Sequence, residues 1–147
     1  MENSKYGKYI VTNLKTPPRL TPEYEASYAT WAKRILWMDD DVVNGAFQMN
    51  CSWYLRPALE KTNESTAHVH DCDEIIGFCG SDPERPHDLG AEIEFWIEDE
   101  MHIITNSALI FMPKGMKHNP LRLRRVDRPV FHFTVMKGSH YTTTKIP

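Results

Sequence analysis

The sequence predicts an all-β sandwich or barrel. Three observations carry this: at least seven short β-prone stretches, turn residues between them at intervals of roughly 8–12 positions, and a period-two alternation over residues 47–55. With 147 residues the chain forms one domain around a single core.

Taken in order, residues 9–14 are β-prone and end at Lys15-Thr16-Pro17-Pro18. Thr21-Pro22-Glu23 then has an N-cap hydroxyl, a proline at the first helical position and an acid in the first turn. Tyr24, Tyr28, Trp31 and Ile35 follow at helical spacing, so a short helix is expected over 22–33, with an extended alternative open because Tyr, Thr and Trp also favour strands. Residues 34–38 read as a strand running into an Asp39-Asp40-Asp41 turn. In 47–55, Phe47, Met49, Cys51, Trp53 and Leu55 share one face, and Gln48, Asn50, Ser52 and Tyr54 share the other. After a polar loop over 57–66, strands are expected at 74–80, 91–97, 102–105, 108–112 and 130–135. Asp82-Pro83 and Arg85-Pro86 break regular structure between the first two of these, and Glu98-Asp99-Glu100 forms a hairpin turn. The expected organisation is an extension over 1–45 that covers the barrel, the barrel itself over 46–138, and a tail over 139–147.

Composition narrows the function classes. Seventeen basic residues against 20 acidic ones give a net charge of −3, which offers no general attraction for nucleic acid. No apolar run approaches the roughly 20 residues needed to span a bilayer, and the first residues lack a secretory leader. Three cysteines, Cys51, Cys72 and Cys79, suit neither a disulfide framework nor a zinc knuckle and read as reduced thiols. A cytoplasmic protein that binds neither nucleic acid nor membrane is expected.

The chemistry concentrates in two segments. In His68-Val69-His70-Asp71-Cys72-Asp73-Glu74, positions 68, 70 and 74 share strand parity and converge on one side. Cys72 shares that parity, but a connection between strands interrupts it, and the set is complete without a thiolate. Two imidazoles and a carboxylate suit first-row divalent metals. In Phe111-Met112-Pro113-Lys114-Gly115-Met116-Lys117-His118, a Pro-x-Gly turn ends an apolar strand and aims His118 back across the barrel.

On these residues the chain resembles a small single-domain cupin. The first cupin motif, HxH-x3-E, stands as His68, His70 and Glu74, and the second, P-x-G-x2-H, as Pro113, Gly115 and His118. The match covers roughly residues 46–135. Thr62 and Ser107 replace glycines of the family pattern, Gly80 falls one residue early, and Arg122 replaces an asparagine. The resemblance implies a double-stranded β-helix, or jelly-roll barrel, with His68, His70, Glu74 and His118 around one divalent transition metal. Iron or manganese is favoured, and nickel, zinc, copper and cobalt also suit the donors. In an octahedral complex, four protein ligands leave two positions for substrate, water or dioxygen.

Tyr54 and His132 are further candidates beside the metal, since one parity of their strands faces inward. Gln48 and Asn50 belong either to the pocket lining or to the solvated face. His87, His102 and His140 are expected to lie away from the site. Arg122, Arg124 and Arg125 are expected on a solvated edge, with an inward reach of Arg122 or Arg124 to an acidic substrate as the alternative. Glu92 and Glu94 are expected to point outward. The expected activity is dioxygenation of a small molecule that chelates the metal through neighbouring oxygens. Redox-neutral isomerase, decarboxylase or lyase chemistry, or a non-catalytic ligand-binding role, stands as the alternative, and a homodimer is expected.

Overall fold

A computed structural model describes residues 4–59, 66–138 and 142–146. His140, Thr62 and most of the loop expected over 57–66 lie outside the described residues.

The helix α1 spans Pro22–Tyr28, with the Thr21 hydroxyl accepting the Tyr24 N–H at 3.2 Å. It is shorter than the spacing suggests. The chain turns after Tyr28 and enters β1 (Ala32–Met38), because residues from Ala32 onward pair with β2 (Gln48–Tyr54) instead of continuing the helix. Residues 9–14 join no strand; they follow a single 3₁₀ turn, Gly7–Tyr9. The remaining strands are β3 (His68–Val69), β4 (Glu74–Gly80), β5 (Asp88–Ile97), β6 (Glu100–Asn106), β7 (Ala108–Met112), β8 (His118–Val126), β9 (Val130–Met136) and β10 (Thr144–Lys145).

Two antiparallel five-stranded sheets, β1-β2-β9-β4-β7 and β10-β3-β8-β5-β6, face one another as a jelly roll. β8 lies inside the second sheet between β3 and β5, so its arginines are not on a sheet edge. Leu121 and Leu123 face inward there, while Arg122 and Arg124 face outward. Glu94 shares that outer face, yet is only 5% exposed, because Arg122, Arg124 and the Trp96 indole N–H close over its carboxylate. Burial works to raise this carboxyl, but the Trp96 and arginine hydrogen bonds outweigh it and hold the group at about 2. The arginines therefore satisfy Glu94 and do not reach inward.

The polar face of β2 is the inner one. Gln48, Asn50, Ser52 and Tyr54 are buried, whereas Phe47 and Met49 are exposed. The register explains what they meet: Asn50 sits beside Thr134, Ser52 beside His132, and Tyr54 beside Val130. One end of the interior is apolar, filled by Leu89, Ile93, Leu123 and Val130. The other is polar and carries the site. On the outer side of the first sheet, Gly77 makes room for the Phe133 ring, which a Cβ there would meet at 2.3 Å.

Candidate metal centre

The two motifs meet where β3, β4 and β8 begin. His68 pairs directly with His118 across the second sheet, and Glu74 opens β4 on the facing sheet. The turn between β7 and β8 is clamped onto the first motif. The Gly115 N–H donates to the His70 carbonyl at 3.0 Å, and the Lys114 N–H donates to Asp73 Oδ1 at 2.9 Å. Gly115 holds φ +81°, a conformation glycine takes without strain.

The three rings cluster with centroids 4.5–4.9 Å apart, and one nitrogen of each lies within 4.8 Å of the others. Glu74 Oε1 lies 3.4 Å from the Nε2 atoms of both His70 and His118. All four side chains are buried. The sequence-singled residues His68, His70, Glu74 and His118 therefore stand together, while Cys72 lies outside the histidine group.

The donors fit a divalent cation. Nδ1 of His68 donates to the Thr66 carbonyl (2.9 Å), that of His70 to the Thr142 carbonyl, and that of His118 to the Met116 carbonyl (3.1 Å). A carbonyl only accepts, so each ring carries its proton on Nδ1 and keeps a lone pair on Nε2. Glu74 Oε1 is buried without a well-formed hydrogen bond among the described residues, a costly state that a cation relieves. Burial, followed by the neighbouring His118, lowers His68 to about 4. This shift favours the unprotonated imidazole a metal requires.

His68, Glu74 and His118 line a cavity with Asn50, Tyr54, His132 and Thr134, and Tyr24 and Tyr28 of α1 line it as well. Tyr54 and His132 stack at 4.6 Å, and His132 Nδ1 donates to the Gly77 carbonyl at 3.1 Å. Burial lowers His132 to about 4, so its ring is neutral near pH 7. The sequence reading missed Arg34. Its side chain is 7% exposed and lines the same cavity. The available signal was the Lys33-Arg34 pair at the head of the apolar run Ile35-Leu36-Trp37. His102 instead pairs with Glu100 near the surface at 2.9 Å, and His87 is exposed.

No family model and no curated protein sequence matches the chain. Solved structures do. An oxalate oxidase in complex with the substrate analogue glycolate superposes with TM-score 0.56 at 13% identity, over 99% of this chain and 67% of that one. A recombinant oxalate oxidase, also with glycolate, gives 0.55 at 13% identity, over 97% and 66%. Peruvianin-I, described as a cysteine peptidase from Thevetia peruviana latex, gives 0.57 at 8% identity, over 99% and 81%. The chain spans about two thirds of the length of these oxidases. The architecture is a cupin-like jelly roll, and it carries a three-imidazole group suited to a divalent metal. One fold serves proteins described as an oxidase and a peptidase, so activity has to be argued from the site.

Proposed function

We propose that His68, His70, Glu74 and His118 hold one divalent transition metal, iron or manganese, and that the protein is a dioxygenase of a small molecule bearing neighbouring oxygens. The observation that carries this reading is three buried imidazoles, each pinned through Nδ1, whose nitrogens gather with Glu74 at the wall of a cavity. The metal, when bound, supplies Lewis acidity and a redox-active centre. The chain does the rest. The backbone carbonyls hold the imidazoles in place, Ile76, Phe95 and Leu121 exclude water, and Asn50 and Thr134 offer polar groups that orient substrate. Metal-loaded protein is expected to take up oxygen with at least one member of a panel of enols, catechols and thiols. Full metal content with no uptake across the panel would refute the assignment.

One observation favours a second reading, redox-neutral isomerase, decarboxylase or lyase chemistry. His132 is buried, neutral and bonded through Nδ1, so its Nε2 offers an acceptor lone pair to a substrate proton. Turnover under strict anaerobiosis, with solvent deuterium appearing in product, would select this alternative.

A second copy of the chain is the partner that the outer face of the first sheet fits. Phe47, Met49, Ile75, Leu109 and Phe111 are 40–70% exposed on that face. Exposed apolar side chains grouped on one face are the kind of surface that a partner covers. Sedimentation is expected to give a dimer that Phe111→Asp dissociates, and a wild-type monomer at tens of micromolar would rule the pairing out. The unpaired thiols Cys51, Cys72 and Cys79 support a reducing, cytoplasmic setting. No helix among the described residues is long and apolar enough to cross a membrane.

A further inference from the structure

We infer that Arg34 is the specificity-determining residue of the cavity, receiving a substrate carboxylate. The inference rests on the metal-site reading above and extends it to the substrate's charge. Arg34 is the one cationic side chain among those lining the cavity besides the imidazoles. It projects from β1 in register with Ser52, which in turn pairs with His132, in the same sheet as the β4 strand that Glu74 opens.

The guanidinium is held for recognition. It lies 4.3 Å from the Tyr28 ring centroid and 5.7 Å from that of Trp37. Nε and Nη2 donate to the two oxygens of Glu25 at 3.2 and 3.0 Å, the paired geometry of a carboxylate fork. Nη1 makes no hydrogen bond among the described residues, which leaves a second donor edge for another carboxylate. Thr134 Oγ1 lines the same cavity, is buried and has no hydrogen-bond partner among the described residues, so the cavity offers a further donor.

Charge balance points the same way. With a divalent cation bound, Arg34 and the metal contribute three positive charges against one each from Glu74 and Glu25. His132 adds none near neutral pH. The loaded cavity therefore carries an excess positive charge that an anionic substrate neutralises.

A structural role alone, in which Arg34 docks α1 through Glu25, makes different predictions. The test uses zinc-loaded protein, with metal content measured on every sample. Binding of α,ω-dicarboxylates of two to six carbons and of their monomethyl esters is read by calorimetry. Wild type is expected to bind at least one diacid about tenfold or more tighter than its ester, and Arg34→Gln to erase that preference at unchanged metal content. Glu25→Gln removes the competing carboxylate and is expected to tighten diacid binding about two- to fivefold, whereas a docking role predicts no gain. Should Arg34→Gln fail to fold, Glu25→Gln decides. Metal-replete wild type that binds acid and ester alike or binds neither, or Glu25→Gln without tightening, overturns the inference and leaves the metal site standing. Absence of metal from wild type overturns both.

Discussion

Metal removal tests the proposed centre through folding, independently of any substrate. The four donors come from positions 68, 70, 74 and 118, brought together by three strands of two sheets. An unfolded chain retains the local His68–His70 pair but not the full set, so the metal binds the native state far better and stabilises it by linkage. At free metal a hundredfold above Kd, the gain is about 2.7 kcal/mol. For a chain of 147 residues each kcal/mol moves Tm by about 3 °C, so chelation is expected to lower Tm by about 8 °C. The assay is thermal unfolding, followed by circular dichroism, of one preparation with chelator and with excess manganese or zinc. His118→Ala removes one nitrogen and its contact with Glu74, and is expected to lose most of the shift together with bound metal. Equal melting of chelated and metal-replete wild type would refute the argument, as would a full shift in His118→Ala.

Other predictions follow from particular contacts. Burial holds His132 at about 4, below its ordinary 6.5, so the neutral ring's contribution is complete above 6.5 and is lost as pH falls through 4. His132→Phe is therefore expected to flatten the fall in urea midpoint between pH 6.5 and 4, and an unchanged slope would contradict this. Glu94, held at about 2 against an ordinary 4.5, contributes stability that is present above 4.5 and lost as pH falls through 2. Glu94→Gln leaves Arg122 and Arg124 without their anion and is expected to cost about 1–2 kcal/mol at pH 7 in urea unfolding, less in high salt, since both arginines are partly exposed. Gly115→Ala meets no neighbouring atom but must hold φ +81°, so it is expected to lose about 1–2 kcal/mol and to weaken metal retention by loosening the turn that carries His118.

The two sheets leave their outer faces in different states, and this bears on how the protein is used. The outer face of the second sheet neutralises Glu94 under two arginines. The outer face of the first is apolar from Phe47 across to Phe111.

Much of the architecture was legible in the sequence. Turn residues and apolar runs located β4 and β7 to the residue and β9 to within one, because their Gly and Pro boundaries act locally. The spacing of the two histidine motifs likewise singled out all four clustered side chains, since strand parity and a Pro-x-Gly turn depend on neighbours in the chain. Other features required the assembled molecule. β8 was missed because Pro120 and three arginines hide an alternation that matters only when β3 and β5 flank it. Alternation along β2 defined two faces, but their direction was set by the polar cavity that His132 and Thr134 share with it. Arg34 joined the site only when β1 paired with β2 and α1 folded over it, a contact between distant segments that local periodicity does not encode.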